Sequence, residues 1–431
     1  MRKTLLSVAV AIPLFFLLMV LVYHLPPVYD RLAWRVDNLR TQIKYALNPP
    51  EAQVFVPQGG LTGQPAMSPT PSPTYTFTAT VPPQGPSATP SPSATATLTP
   101  TSLPPTVKLK GVKYEDQHGR FNYCGPSNLS MALTFWGWKG NRDQVGNAIK
   151  PEIDDKNVMP YEMAEFAESS AGLAAIVRVG GNLELVKTLV ANGFPVLLEK
   201  GTFLTDLAGD YSWMGHYQLV TGYDEAESVL IVQDTYVGPD HPMPFEEIID
   251  GWRAFDYLYI VVYPPEGEAQ VQAILGARWD ETTSEQIAAQ EASDEIYGLT
   301  GRAQFFAWFN RGTSLMLLQD YNGAAQAYDQ AFAVYPSIPE EERPWRMMWY
   351  QTGPYFAYFY SGRYYDVIDL ATRTLNSMSK PVLEESFYWR AMAKAALGDT
   401  AGAIEDYRTS LNLHPGFEAS LYQLQLLGVK P

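Results

Sequence analysis

The chain has 431 residues, 46% of them hydrophobic, and a formal net charge of −16. That apolar content supports packed cores in roughly two or three domains, and the acidic balance excludes nucleic acid as a partner, because a phosphate backbone needs a basic surface. A single cysteine, Cys124, excludes an internal disulfide framework.

The N-terminus opens with Arg2 and Lys3 and then runs apolar and uncharged from Leu5 to Tyr23. About 20 helical residues at roughly 1.5 Å each cross a bilayer core of about 30 Å. Pro13 is compatible with this, since membrane helices tolerate proline. The run ends in "LVYHLPPVYD", which lacks the small residues of a cleavage site. Residues 1–25 are therefore expected to form a retained transmembrane signal-anchor. In 26–60, a juxtamembrane segment, "YDRLAWRVDNLRTQIKYAL" has helically spaced apolar residues. Residues 61–106 are Pro, Ser and Thr with almost no large apolar side chain, and are expected to be a disordered, extended stalk. A stalk next to an anchor points to an extracytoplasmic location for the domains beyond it. Arg31, Arg35, Arg40 and Lys44 weigh the other way by charge count.

Residues 107–265 have a mixed pattern. "CGPSNLSMALTFWGW" reads as a helix that starts at Cys124 and puts Leu129, Leu133 and Trp136 on one face. "LELVKTLVANG" reads as a second helix, ended by Gly193. "FPVLLEKG", "HYQLVTGYD", "SVLIVQDT" and "YLYIVVYP" read as strands rich in β-branched and aromatic residues. Helices followed by antiparallel strands imply an α+β domain. The acidic run "EIDDKN" reads as a solvated turn, since it lacks the regular ligand spacing of a calcium loop.

Residues 266–302 form a connecting helical segment, and 303–431 are repetitive. The stretches 307–336 and 386–415 align without gaps, with small residues at Ala324 and Ala403, aromatics at Tyr328 and Tyr407, and closing prolines at Pro336 and Pro415. This resembles tetratricopeptide repeats, an all-α solenoid. The middle unit departs from the pattern: Val367 stands where alanine is expected. "FEASLYQLQLLG" is expected to cap the array. Such helices bury surface mainly against their sequence neighbours, so 270–431 is expected to fold apart from the α+β domain.

A thiol attacks as its thiolate, and a helix N-terminus favours that anion. Of the five histidines, His24 flanks the anchor, His414 sits at a repeat boundary, and His118 and His241 fall in apparent loops. Only His216 opens a strong strand. "HYQLVTGY" and "VLIVQDT", joined by the polar "DEAES", read as a hairpin. With its turn near Ala226, His216 lies roughly opposite residue 236, and Asp234 falls on the same face. A carboxylate there orients an imidazole, completing a nucleophile–base–orienter set, although Asp234 also suits a turn cap. The motifs "DQHGRFNYCGPSNLSMALTFWG", "GHYQLVTGYD" and "VLIVQDTYVG", in this order, resemble the papain-like cysteine peptidases related to bacteriocin-leader (double-glycine) peptidases. The resemblance implies a papain-like fold for 107–265, with Cys124 as nucleophile, His216 as general base, Asp234 as orienter and Gln117 as oxyanion donor beside the Cys124 backbone N–H. It does not imply leader processing, because this chain has no exporter ATPase.

The function expected is hydrolysis of peptide bonds in a peptide or protein substrate, with the repeats binding a protein partner and the N-terminal helix the membrane. No cofactor or metal is called for. The same set of groups also supports amidase or transpeptidase chemistry. A catalytically inactive peptidase-like and repeat scaffold is the alternative.

Overall fold

The computed structural model describes residues 13–15, 17–23, 25–59, 103–152, 154–205, 209 and 211–431. The stalk expected over 61–106 lies outside the described residues up to 102, as does much of the anchor expected over 1–25. Among the described residues, no helix is long and apolar enough to cross a membrane. The juxtamembrane segment forms a helix, Pro26–Leu47.

The α+β unit is built on one sheet. Its strands are β1 (Thr106–Lys108), β2 (Ala174–Arg178), β3 (Val196–Thr205), β4 (Tyr211–Asp224), β5 (Val229–Asp234), β6 (Gly238–Pro244) and β7 (Tyr259–Tyr263). Their order is β2-β7-β3-β4-β5-β6, and β1 pairs with the end of β4. Side chains alternate across a strand, and here both faces are covered. Leu197, Leu219, Ile260 and Val262 meet the helices Cys124–Phe135, Arg142–Ile149 and Pro160–Ala171. Val196, Leu198, Val220 and Val261 meet Leu183–Ala191, Phe245–Arg253 and Glu268–Leu275 on the other face. Burial on both sides is why β7, "YIVVY", is apolar throughout and fully buried.

Three strands were not foreseen: β1, β2 and β6. β6 carries Pro239, Pro242 and Pro244, which argue against a strand by composition. It is tolerated because β6 is the outer strand, where a missing N–H leaves no ladder bond unmade. His241 consequently lies on a strand, opposite Val232, and not in a loop.

The repeats form helix pairs Gly301–Leu317 with Tyr321–Val334, Gly353–Tyr360 with Tyr364–Asn376, and Glu384–Ala396 with Thr400–Leu413, followed by Glu418–Leu426. Ala324 and Ala403 are fully buried where paired helices approach. Asp320 and Asp399 cap the second helices of the outer pairs, accepting from Gly323 N and Gly402 N at 2.9 Å. The middle pair has an 8-residue first helix, preceded by the short helix Met347–Tyr350.

The repeats do not stand apart from the sheet, contrary to the expectation from nearest-neighbour packing. Trp213 of β4 and Phe255 belong to one core with Phe305, Phe306, Tyr328 and Tyr358. Phe55 joins it, its ring edge-on to Phe332 at 4.9 Å. Polar bonds cross the same boundary: Ser314 Oγ donates to Asp256 at 2.7 Å and Asn310 Nδ2 to Arg253 O at 2.7 Å. The cause is that Trp213 and Phe255 are large aromatics that the α+β unit's own helices leave uncovered. The "EIDDKN" run is also corrected. Asp155 and Lys156 are buried, and Lys380 of the repeats donates to Glu152 and Asp154 at 3.1 and 2.6 Å.

Candidate active site

Cys124 is the first residue of its helix, and Tyr123 before it supplies no side-chain cap. The first backbone N–H groups are therefore left for other partners. Pro126 sits in the first turn, where a missing N–H breaks no helical bond. Gly125 lets the helix press on the sheet: a Cβ there would meet Val158 at 3.3 Å and the Tyr217 ring at 3.6 Å. Asn128, one turn on, donates to Cys124 O at 3.0 Å and Tyr217 O at 2.7 Å, fastening the helix start to β4.

β4 delivers His216. Its hairpin with β5 pairs Leu219 with Gln233 and Val220 with Val232, the register the turn position implied. Asp234, at the end of β5, reaches back so that its Oδ1 lies 3.2 Å from His216 Nε2. The same carboxylate caps the turn, accepting from Tyr236 N at 2.8 Å and Val237 N at 2.9 Å. Its Oδ2 accepts from Gln218 Nε2 at 2.5 Å. The cap and the orienter are thus one group. With Nε2 committed to Asp234, Nδ1 is the nitrogen left for the Cys124 thiol, to which His216 is hydrogen-bonded.

The charges follow from this chain of contacts. Burial pushes the Cys124 thiol up, but the hydrogen bond and charge of His216, then the N–H groups of Tyr217 and Gly125, bring it below its ordinary value. Burial pulls His216 down, but the charge and hydrogen bond of Asp234, and then Cys124, lift it to about 10. Burial pushes Asp234 up, and the charge and hydrogen bond of His216 with the Val237 and Gln218 donors hold it far below the usual carboxylate range. His216 therefore carries its proton at neutral pH, and its charge favours the thiolate beside it.

Gln117 lines the cavity in front of Cys124 and His216. Its N–H donates to Thr235 O at 2.9 Å, and its Oε1 accepts from Thr235 Oγ1 at 2.8 Å. With the amide oxygen so held, Nε2 is the donor that remains. Gln218, Thr235 and Asn128 are supports that the sequence reading missed. Gln218 was open to discovery, because it lies two residues beyond His216 and so on its face.

The repeats close the front of the site. β5 pairs β4 only from Leu219 onward, which leaves an edge of β4 open. Arg346 Nη1 donates to Trp213 O at 2.9 Å and Ser212 Oγ at 2.6 Å. The Gly215 N–H donates to the Tyr350 hydroxyl, and the Tyr217 N–H to Cys124 Sγ. Gly215 is required here: a Cβ would meet the Phe255 and Tyr350 rings at 2.8 and 3.0 Å. The Tyr350 ring stands edge-on to Trp213 at 6.0 Å and to Phe255 at 5.9 Å. What remains is a cavity of about 30 Å³, room for about two water molecules. Among the described residues, one group, Glu162, Glu384 and His414, brings possible metal-ligand atoms within 4.8 Å of one another. It joins the Pro160–Ala171 helix to the third repeat pair and includes none of Cys124, His216, Asp234 and Gln117.

Comparison with known proteins agrees with this division. Residues 109–260 match the Peptidase_C39 like family, and 305–338 and 385–416 match tetratricopeptide repeat families. Among solved structures, the chain is similar to a protein described as a C39-like peptidase from Bacillus anthracis, with 18% identity and a TM-score of 0.31, over 36% of this chain and 96% of that one. It is also similar to xylellain, a cysteine protease from Xylella fastidiosa, with 15% identity and a TM-score of 0.31, over 38% of this chain and 87% of that one. No curated protein matches it.

Proposed function

We propose that this chain, which carries a Peptidase_C39-like domain followed by tetratricopeptide repeats, is a cysteine peptidase that hydrolyses peptide bonds through Cys124, His216 and Asp234. One observation carries the reading: the only thiol of the chain starts a helix and is hydrogen-bonded to a buried imidazole that is itself paired with a buried carboxylate. The thiolate adds to the substrate carbonyl carbon, and the carbonyl electron pair moves to oxygen. Gln117 Nε2 and the Cys124 N–H receive that oxyanion. As the adduct collapses, the C–N bond breaks and His216 gives its proton to the leaving amine. Water then adds to the thioester while His216 takes its proton, the C–S bond breaks, and the carboxylic acid leaves.

The wider reading is an anchor over 1–25, a stalk over 61–106, a peptidase unit over 107–265 and repeats over 303–431 that bind a protein partner. The exposed apolar side chains of Leu14, Phe15, Leu17, Leu18, Met19, Val20, Leu21 and Val22 support membrane attachment. A peptide library incubated with the full chain in detergent tests the core of the proposal. Cleavage is expected from the native chain and none from Cys124→Ala. Equal cleavage by both would remove the reading.

A further inference from the structure

The proposed chemistry leaves unused a buried acid that lines the cavity. Glu199 lines the cavity together with Cys124 and His216 and, among the described residues, is the only carboxyl group that does so. It is 2% exposed. It lies on β3 opposite Tyr217, so the two side chains share a face of the sheet. Tyr217 hydrogen-bonds to Glu199 and donates its own hydroxyl proton to Val158 O at 3.1 Å. The other carboxyl oxygen, Oε1, has no hydrogen-bond partner among the described residues.

This is an unusual place for an acid. Its sequence neighbour Leu198 and its strand neighbours Leu197 and Leu219 are fully buried apolar residues, and an aliphatic side chain would fill position 199 at less cost. Burial, opposed by Tyr217 and reinforced by the Cys124 charge, holds the carboxyl well above its usual range. Asp234 already orients His216, which leaves Glu199 without a part in the proton transfers. Its Oε1 is a buried acceptor without a donor among the described residues, in a side chain that lines the cavity. Lys156, which also lines the cavity, is held with its ammonium over the Phe121 ring at 4.4 Å and the Trp349 ring at 5.9 Å.

We propose that Glu199 is the specificity-determining residue of the cleft, accepting on Oε1 a hydrogen bond from a cationic substrate side chain, lysine or arginine, near the scissile bond. This rests on Cys124 being the reactive group of a peptidase. An ammonium or guanidinium at that oxygen supplies the missing donor. It also favours the ionised carboxyl, whose proton passes to solvent as the pair forms. Apolar side chains of the same length leave Oε1 unpaired.

The test uses peptidyl chloromethyl ketones that alkylate Cys124 and carry lysine or norleucine at either of the two positions before the reactive carbon. The two side chains share the same four-carbon stem, and norleucine lacks only the ammonium. Labelling of the full chain is followed by mass, which is unambiguous with one cysteine. The lysine probe is expected to react about 10- to 100-fold faster than the norleucine probe, the range of one charge-assisted hydrogen bond. In Glu199→Gln, which keeps an acceptor of the same shape but cannot ionise, the ratio should fall by about tenfold. In Glu199→Leu the norleucine probe should become the faster. Equal rates in the native chain, or a lysine preference that survives both substitutions, would overturn the proposal. Labelling requires only the thiolate, so the two readings separate. Lysine-selective labelling without hydrolysis of any peptide would keep Glu199 as the cation-binding group of the cleft and remove only the claim that the cleft cleaves peptides.

Discussion

Replacing Tyr350 by alanine should make Cys124 markedly more reactive toward a small alkylating reagent. Tyr350 and Cys124 line the same cavity of about 30 Å³, and Cys124 is partly exposed, so the Tyr350 ring narrows the approach to the thiol and its departure opens that approach. Leaving breaks the hydrogen bond from the Gly215 N–H, about 0.5–1.5 kcal/mol. It also breaks two edge-on ring contacts, with Trp213 and Phe255, at about 0.5–1.5 kcal/mol each. The sum, about 1.5–4.5 kcal/mol, corresponds to roughly 10- to 1000-fold in the open population. Tyr350→Ala should accelerate alkylation by up to that factor. Tyr350→Phe, which loses only the hydrogen bond, should give about 2- to 10-fold. The assay is the pseudo-first-order rate of iodoacetamide labelling at neutral pH, read on the only cysteine of the chain. The alanine variant also loses about 3–5 kcal/mol of packing, so near-UV circular dichroism must show it folded under the same conditions. A folded Tyr350→Ala chain labelled within about twofold of the native rate, far below the range above, would refute the claim that this ring controls access.

His216→Ala should slow labelling of Cys124 at neutral pH, because the partners that lower the thiol are lost while the burial that raises it stays. A rate–pH profile should show its acid limb moved upward; an unmoved limb would mean that His216 does not set the thiolate. Turnover of any cleaved peptide should fall as pH rises through about 10, where His216 gives up its proton. In Asp234→Asn that limb should move to lower pH, since the charge holding the proton is gone, and a fixed limb would remove Asp234 as orienter. Phe255→Ala should cost about 3–5 kcal/mol and should lower the melting of the α+β unit and the repeats together, because Phe255 lies in their common core; two separate transitions would show that the units are thermodynamically independent. Protease added to intact cells should cut within 64–106 and release a fragment that still reacts with thiol probes; full protection until lysis would reverse the proposed orientation.

The features legible in the sequence were those with a short-range cause. The helix start at Cys124, the β4–β5 register and the Ala–Tyr pattern of the outer repeats each come from a few adjacent residues, and the structure has them where the pattern puts them. β6 was not legible, because its three prolines read as a loop and only its position at the edge makes them harmless. Nor were Tyr350 and Arg346. They lie in a spacer between repeat helices, more than 120 residues from the strand they cover, and no local period connects the two. The buried Asp155 and Lys156 illustrate the same limit: a polar run looks solvated until a distant surface covers it.

The closed front of the site is compatible with a peptide-cleaving role on energetic grounds. Three groups of the β4 edge are partnered as it stands, with Arg346 on Trp213 O, Tyr350 on the Gly215 N–H and Cys124 Sγ on the Tyr217 N–H. A small reagent such as iodoacetamide has a single amide to offer in place of these bonds when Tyr350 leaves. An extended peptide carries a carbonyl and an N–H at every residue, so it can return a hydrogen bond to Gly215 as the tyrosine leaves. The exchange then costs the ring contacts alone. The core beneath, where Trp213 and Phe255 meet Phe306, need not open for this to happen, because the displaced group belongs to a four-residue helix at the rim. The repeats thereby hold the β4 edge partnered until a chain with matching backbone groups competes for it, and free thiol-reactive molecules, which cannot compete in that way, meet the larger barrier.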